Sequence, residues 1–312
     1  MIFHLRVVFK NEFANNKHLS KNRGFLQISS NGNILGKIPL DDILGIIITG
    51  FGCTHSSNLI TACAEMGISF VVCGTNYNPV SYMLPVSINS YQSERFRIQI
   101  ATKETTKNQI WKQIVKSKIL SQSWALKICN KDGYEIIKNL ARNVQSGDTS
   151  NLEGQAASKY WRLLMGDDFR RDKNAQNINS ILNYGYTILR STVARAVCGT
   201  GLHPTIGVHH KNKSNPMCLV DDIMEPFRPV IDVIAYKLME QNQYEINNYT
   251  KQVLSNITVM DFTTEKGTAP LFKICTSYTK NILDYMNGEK NKILSPIMPD
   301  ELAINSVFIN VD

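Results

Sequence analysis

Hydrophobic spacing changes period once along this 312-residue chain, near residue 95, and that change constrains the fold more than any other feature. Before it, short apolar runs rich in β-branched residues alternate with turn formers, as in Gly24-Phe25-Leu26-Gln27-Ile28 and Ile43-Leu44-Gly45-Ile46-Ile47-Ile48-Thr49. Ser29-Ser30-Asn31-Gly32-Asn33 is a hairpin signal. Pro39 is a break, because proline cannot sit inside a central strand. One helix is expected here: Ser56 or Ser57 caps it, Leu59, Cys63 and Met66 follow at helical spacing, and Gly67 stops it. Ile68 to Cys73 reads as the next strand, and Asn76, Asn78, Pro79, Pro85 and Ser87 mark a connector over about 75–95. Beyond it the period becomes 3.6, through Ile110, Ile114, Leu120, Trp124 and Ile128, then Ile136, Ile137 and Leu140. Asn177 to Val197 and Pro226 to Met239 look the same, with Pro226 tolerated in a first helical turn. The expected fold class is α+β: an N-terminal β-rich domain over 1–85, then a larger all-α domain over 96–312.

Charge points to a polyanionic partner. Lys and Arg number 34 against 26 Asp and Glu, a formal net charge of +8. Between Ala101 and Arg142, nine basic residues (Lys103, Lys107, Lys112, Lys116, Lys118, Lys127, Lys131, Lys138, Arg142) face only Glu104, Asp132 and Glu135, a local balance of +6. Such a run is either a solvated helix face or a surface that tracks phosphates by releasing counterions. The seven cysteines are odd in number with no C-x-x-C pair, which suits free thiols in a reducing cytosol. Met1-Ile2-Phe3-His4-Leu5-Arg6 lacks the layout of a signal peptide, and no apolar run approaches the ~20 residues a membrane helix needs. The expected compartment is the cytoplasm, with no membrane partner.

Three stretches of the helical part could carry chemistry. In Asn151-Leu152-Glu153-Gly154-Gln155-Ala156-Ala157-Ser158, a Glu leads a helix followed by small residues that let another element approach. In Gly201-Leu202-His203-Pro204-Thr205-Ile206-Gly207-Val208-His209-His210-Lys211-Asn212, three of the six histidines fall in a turn-rich segment. In Asp221-Asp222-Ile223-Met224-Glu225-Pro226-Phe227-Arg228-Pro229, three carboxylates fall within five residues, and Asp222 and Glu225 share a face of a helical turn. Each alone has an ordinary reading as a first-turn acid, a loop histidine or an acidic surface turn. Together they offer two carboxylates and an imidazole, a mixed donor set that suits Mg²⁺ or Mn²⁺; no cysteines cluster with the histidines as a thiolate zinc site requires.

In order and at these separations, several fragments resemble one family: Ile38-Pro39-Leu40-Asp41-Asp42-Ile43, the helix after His55-Ser56-Ser57, Met66-Gly67-Ile68, Leu152-Glu153-Gly154-Gln155-Ala156-Ala157 with Tyr160, Asn183-Tyr184-Gly185-Tyr186 with Leu189, Gly207-Val208-His209-His210, and Asp222 to Pro229. The family is the CRISPR-associated integrase, CRISPR-associated protein one. The resemblance implies that Glu153, His210 and Glu225 are catalytic and hold Mg²⁺ or Mn²⁺, with Asp222 accessory. Register with Gly207 favours His210 over its neighbour His209, which stays as an accessory candidate. It also implies a β-rich domain that dimerises and a helical catalytic domain, with two such dimers flanking a dimer of CRISPR-associated protein two. That heterohexamer would join the 3′-hydroxyls of a short double-stranded DNA to the CRISPR array by transesterification, or cut DNA with water as nucleophile. The Gly-x-His-His-x-Asn form and the length look most like type II members, whose RNA-guided effector nuclease is a further implied partner. Arg95, Arg97, Lys112, Lys116, Lys118, Arg162, Arg170 and Arg171 are candidate phosphate contacts. Tyr186 is a core aromatic or a DNA contact, and Arg228 is expected to orient the Glu225 turn or pair with a carboxylate. A DNA-repair nuclease that never integrates and a non-enzymatic DNA-binding scaffold are the rival readings. The tail 294–312 is open between packed and free.

Overall fold

Two tight turns set the start of the chain. In the computed structural model, which describes residues 6–8, 17–48, 52–74, 79–83, 89–172, 175, 177–265 and 267–309, the first strands are β1 (Arg6–Val8), β2 (Lys17–Asn22), β3 (Phe25–Ser30) and β4 (Asn33–Pro39). Asn31 and Gly32 take φ of 48° and 81°, the left-handed pair that a two-residue hairpin turn requires. Arg23 and Gly24 repeat these angles between β2 and β3. β5 (Ile43–Ile48) and β6 (Thr54–His55) follow, and β6 pairs parallel with β2 to give a sheet ordered β4-β3-β2-β6. Pro39 closes the edge strand β4, where a missing N–H breaks no central ladder.

Helix α1 (Ser57–Glu65) is capped by Ser56, whose hydroxyl accepts from the Leu59 N–H at 3.3 Å, and the chain turns out of it at Gly67 with φ 65°. It leads to β7 (Ser69–Cys73) and β8 (Pro79–Met83), which complete a second sheet ordered β1-β5-β7-β8. β5 pairs parallel with β1 and β7; β8 is antiparallel to β7. Its central strands β5 and β7 are buried on both faces, and their alternation divides them. Ile46 and Phe70 join a small core with Leu26, Ile28, Leu40 and Leu59, while Ile47 and Val71 join the large core of the helices. Burial on both sides explains why β5 reads as a near-continuous apolar run. Thr49 and the connector residues Asn76, Asn78, Pro85 and Ser87 lie outside the described residues.

The rest of the chain is mostly helical: α2 (Gln92–Ala101), α3 (Glu104–Ile128), α4 (Tyr134–Leu140), α5 (Leu152–Met165), α6 (Ile178–Gly199), α7 (Cys218–Met224), α8 (Arg228–Glu240), α9 (Asn248–Asn256), α10 (Leu271–Met286) and α11 (Glu301–Ile309). A short hairpin, β9 (Asp261–Thr264) with β10 (Gly267–Pro270), interrupts them. Helix α3, roughly 37 Å long at 1.5 Å per residue, runs through the large core. Gly185 lets α6 and α8 cross closely: a β-carbon there would stand 2.5 Å from the Ile231 side chain. The described part of the tail is packed. Ile304 and Val307 are buried, and the Trp124 indole donates to the Pro299 carbonyl at 3.1 Å. All seven cysteines are free thiols, and among the described residues no helix is long and apolar enough to cross a membrane.

Candidate metal centre

The first carboxylate is placed by a capped helix start. Asn151, at φ 51°, caps α5 and accepts from the Gly154 N–H at 3.2 Å. The buried Asp148 accepts from the N–H groups of Leu152 and Glu153, both at 2.9 Å. Three orphan donors of the first turn are thereby satisfied, which fixes the backbone of Glu153. Gly154 serves this cap, since a β-carbon there would lie 2.8 Å from Asn151 Oδ1. Neither Asp148 nor Asn151 was singled out in the sequence.

The imidazole is placed by Asp222, which is fully buried in α7. Its Oδ2 accepts from the N–H groups of Val208 and His209 at 2.6 and 3.0 Å, and its Oδ1 accepts from the His210 N–H at 3.1 Å. His210 Nδ1 lies 2.6 Å from the same Oδ1. That bond places the proton on Nδ1 and leaves Nε2 free as a ligand, the usual orientation of a metal-binding histidine by a supporting carboxylate. The Asp222 hydrogen bond raises the His210 pKa, with burial opposing it. Gly207 is required here, because a β-carbon would approach Cys218 Cβ to 2.9 Å and Asp222 Oδ2 to 3.0 Å. The buried Gln99 pins the loop further, donating to the carbonyls of His203 and Ile206 at 2.9 and 2.7 Å. His209 stacks flat on Trp111, with ring centroids 4.1 Å apart, and burial lowers its pKa.

The second carboxylate, Glu225, opens a short 3-10 turn between α7 and α8 and is buried. Asp222 and Glu225, expected to share one face of a helical turn, face different partners. Asp222 is spent on the histidine loop, whereas Glu225 faces Lys118. The Lys118 ammonium pairs with Glu153 Oε1 and lies 2.5 Å from Glu225 Oε2, and Arg228 Nε is 3.4 Å from Glu225 Oε1. Glu225 Oε2 thus meets the ammonium in a buried ion pair. Burial would raise the Glu225 pKa, but Arg228 and Lys118 outweigh it and hold the group at about 2. Burial likewise works against the charged form of Lys118, and the two glutamates reverse the sign, leaving its pKa raised. His210 and Glu225 are within electrostatic reach of each other, each favouring the other's charged form.

Glu153 and Glu225 thus converge on one cation, with His210 held beside them. As the chain stands, among the described residues no three His, Cys, Asp or Glu side chains close on a single point in ion-holding geometry. The donors nevertheless fit a hard divalent ion: two carboxylates already drawn to one positive charge, and an imidazole oriented through Nδ1 by a buried carboxylate.

Lys118 corrects one expectation. Grouped in the sequence with Lys112 and Lys116 as a phosphate-tracking face, it is 7% exposed and ion-paired within the site. Lys112 and Lys116 are partly exposed on the other side of α3. Of the arginines, Arg97, Arg162 and Arg170 are exposed, the last two tied to their own segment through Ser158 and through the carbonyls of Asp167 and Phe169. Arg95 donates to the Thr200 carbonyl at 2.6 Å. Arg171 donates to Asn179 and Asn183 and lies over the Tyr186 ring. The Tyr186 hydroxyl donates to the buried Asp232, as does Tyr160 at 2.9 Å, so its polar end points into the core. Arg228 pairs with Glu225 as expected and also lies over Tyr186.

Comparison with known proteins gives one family from sequence and one fold from structure. A family model described as CRISPR associated protein Cas1 matches residues 13–266. A CRISPR-associated endonuclease Cas1 from Neisseria meningitidis serogroup C (strain 8013) is 36% identical over 234 residues, covering 73% of this chain and 75% of that protein. Among solved structures, a casposase bound to integration product superposes with a TM-score of 0.76 at 18% identity, covering 95% of this chain and 97% of that one. A Cas6-RT-Cas1–Cas2 complex matches with a TM-score of 0.72 at 17% identity, over 90% of this chain and 35% of that one. At these identities the two structures speak for the fold, an N-terminal β-rich part followed by a mostly helical one.

Proposed function

The chain belongs to the Cas1 family of CRISPR-associated proteins, and from that premise we propose that it is a divalent-metal-dependent DNA integrase and endonuclease of CRISPR adaptation, joining the 3′-hydroxyl ends of short DNA fragments into the array. The observation that carries this reading is the meeting of Glu153 and Glu225, from separate helical segments, at one cation beside a histidine oriented by a buried aspartate.

Glu153, Glu225 and His210 Nε2 would hold the ion, Mg²⁺ or Mn²⁺, which when bound would supply a Lewis acid for a phosphoryl oxygen and offset the charge developing on it. Asp222 fixes the His210 tautomer and the loop that carries it. Arg228 balances Glu225 from the side away from Lys118, which keeps the glutamate ionised for ligation. In the joining step a DNA 3′-hydroxyl attacks a backbone phosphodiester in line; one P–O bond forms as another breaks, so the number of phosphodiesters is conserved. Water in place of the hydroxyl gives strand cutting.

The partners follow from the family and from the named Cas1–Cas2 complex of similar fold. They are double-stranded DNA, a second copy of the chain paired through residues 1–85, Cas2 in a heterohexamer, and the effector nuclease of a type II system, all in the cytoplasm. Residues 96–312 form the catalytic domain in this reading, with about 75–95 as the connector.

The test is an integration assay with the purified chain and its Cas2, a short DNA with free 3′-hydroxyls, and a supercoiled plasmid carrying the array. Joined product that needs Mn²⁺ or Mg²⁺ and disappears in Glu153→Ala and His210→Ala is expected. Cutting without joining favours a repair nuclease; DNA binding with neither activity favours a scaffold.

A further inference from the structure

We propose that Lys118 is a built-in stand-in for the divalent ion: its ammonium holds Glu153 and Glu225 at a separation ready for ligation in the ion-free chain, and competes with the ion for them. The inference rests on the metal reading above and gives a positioning role to the cation at which its two carboxylates meet.

Helix geometry comes first. Lys118 lies on the row Ile110, Ile114, Lys118, Gln122 and Leu126, spaced by four, and every member is buried. Such a row is the face a helix turns to a core. A lone ammonium there would cost far more than a helix can tolerate. It is tolerated because α5 and the turn after α7 each deliver a carboxylate to it.

The dependence runs both ways. Without a cation between them, two carboxylates this close repel and drift apart or take up a proton. With the ammonium present they are gathered around one centre. Oxygens gathered around an ammonium stand only slightly farther from the centre than a hard divalent ion would hold them, so the carboxylates need little rearrangement. A lysine nitrogen and a divalent ion cannot share that centre, so ion entry requires the ammonium to swing out. Arg228 stays on the far oxygen of Glu225, so the exchange never leaves that carboxylate bare. The affinity for the ion is thus set partly by the strength of an internal ion pair that must first be broken.

Titration calorimetry with Mn²⁺ on the full chain tests this, together with the melting temperature in EDTA. Lys118→Met is expected to bind Mn²⁺ about tenfold tighter than the parent, a 1.4 kcal/mol difference, while its EDTA melting temperature falls. Lys118→Arg, whose guanidinium fork grips carboxylates bidentately, is expected to bind Mn²⁺ more weakly than the parent. A purely structural lysine would lower stability in Lys118→Met without raising Mn²⁺ affinity. Parent-like or weaker binding by Lys118→Met overturns the proposal, and so does parent-like binding by Lys118→Arg. The arginine variant decides alone if the methionine variant does not fold. No Mn²⁺ binding by the parent chain overturns the metal reading itself, a distinguishable failure.

Discussion

The two cores of this molecule solve different problems. The small one, between the β4-β3-β2-β6 sheet, α1 and one face of β5 and β7, is made of Leu26, Ile28, Leu40, Ile46, Leu59, Phe70 and similar residues. The large one buries Lys118, Asp222, Glu225 and Asp232 among its apolar side chains. An apolar core is stabilised by area and packing, and it tolerates a vacancy in proportion to the volume lost. A core with buried charges is stabilised only while every charge keeps its partner, and it fails by pairs. The contrast teaches where stability and chemistry are stored: the first core can be weakened without touching the site, the second cannot.

The largest effect expected is in the small core. Phe70→Ala removes a fully buried ring and should lower unfolding free energy by roughly 3–5 kcal/mol, read by urea denaturation, with Mn²⁺ affinity unchanged. A matching loss of affinity would show that the cores are not separable. Asp222→Asn sharpens the opposite side. It sets an amide against donors that now find a carboxylate, costing roughly 2–3 kcal/mol and about 10- to 100-fold in Mn²⁺ affinity, as expected for a group that orients a ligand. Stability lost with affinity intact would remove Asp222 from the site.

A third prediction uses pH. Burial raises Asp232 to about 6 despite hydrogen bonds from Tyr186 and Tyr160 and the nearby Arg228. Its folded pKa lies above its unfolded value, so folded Asp232 holds a proton that the unfolded chain gives up. Its contribution is fully present below the unfolded pKa of about 4 and is lost as pH rises through 6. Asp232→Asn should flatten that decline between pH 4 and 6 in a stability-against-pH curve, by roughly 2–3 kcal/mol; an unchanged slope would mean that Asp232 is ionised throughout. The smallest effect belongs to the surface. Lys112→Glu with Lys116→Glu should leave stability within about 0.5 kcal/mol while weakening DNA binding and flattening its salt dependence. Unchanged affinity and slope would remove this face of α3 from the DNA surface.

What could be read from the sequence follows the range of each interaction. Asn31-Gly32 announces its turn because both residues tolerate positive φ; Arg23-Gly24 makes the same turn, and an arginine gives no such notice. Glu153, His210 and Glu225 stood out as candidates in three fragments, each ordinary alone and joined by their order and by the resemblance. Asp148 did not stand out, since its partners are backbone N–H groups four and five residues away and any acid there looks ordinary. Lys118 was misread because charge was counted along the segment without helical register. Set on its i+4 row it is a lysine among Ile110, Ile114 and Leu126, the signal of a charge with a buried partner. The β9–β10 hairpin left no trace in the apolar period, being four residues a side.

The alternation of β5 has a consequence for how this family can change. Ile46 and Ile47 are neighbours in the chain and tenants of opposite interiors. Inserting or deleting one residue in Ile43–Ile48 would exchange the tenants, presenting each interior with side chains shaped for the other. Loops can lengthen freely and surface charge can drift, but this strand's length is frozen by two separate interiors, and its register should be among the slowest characters to diverge.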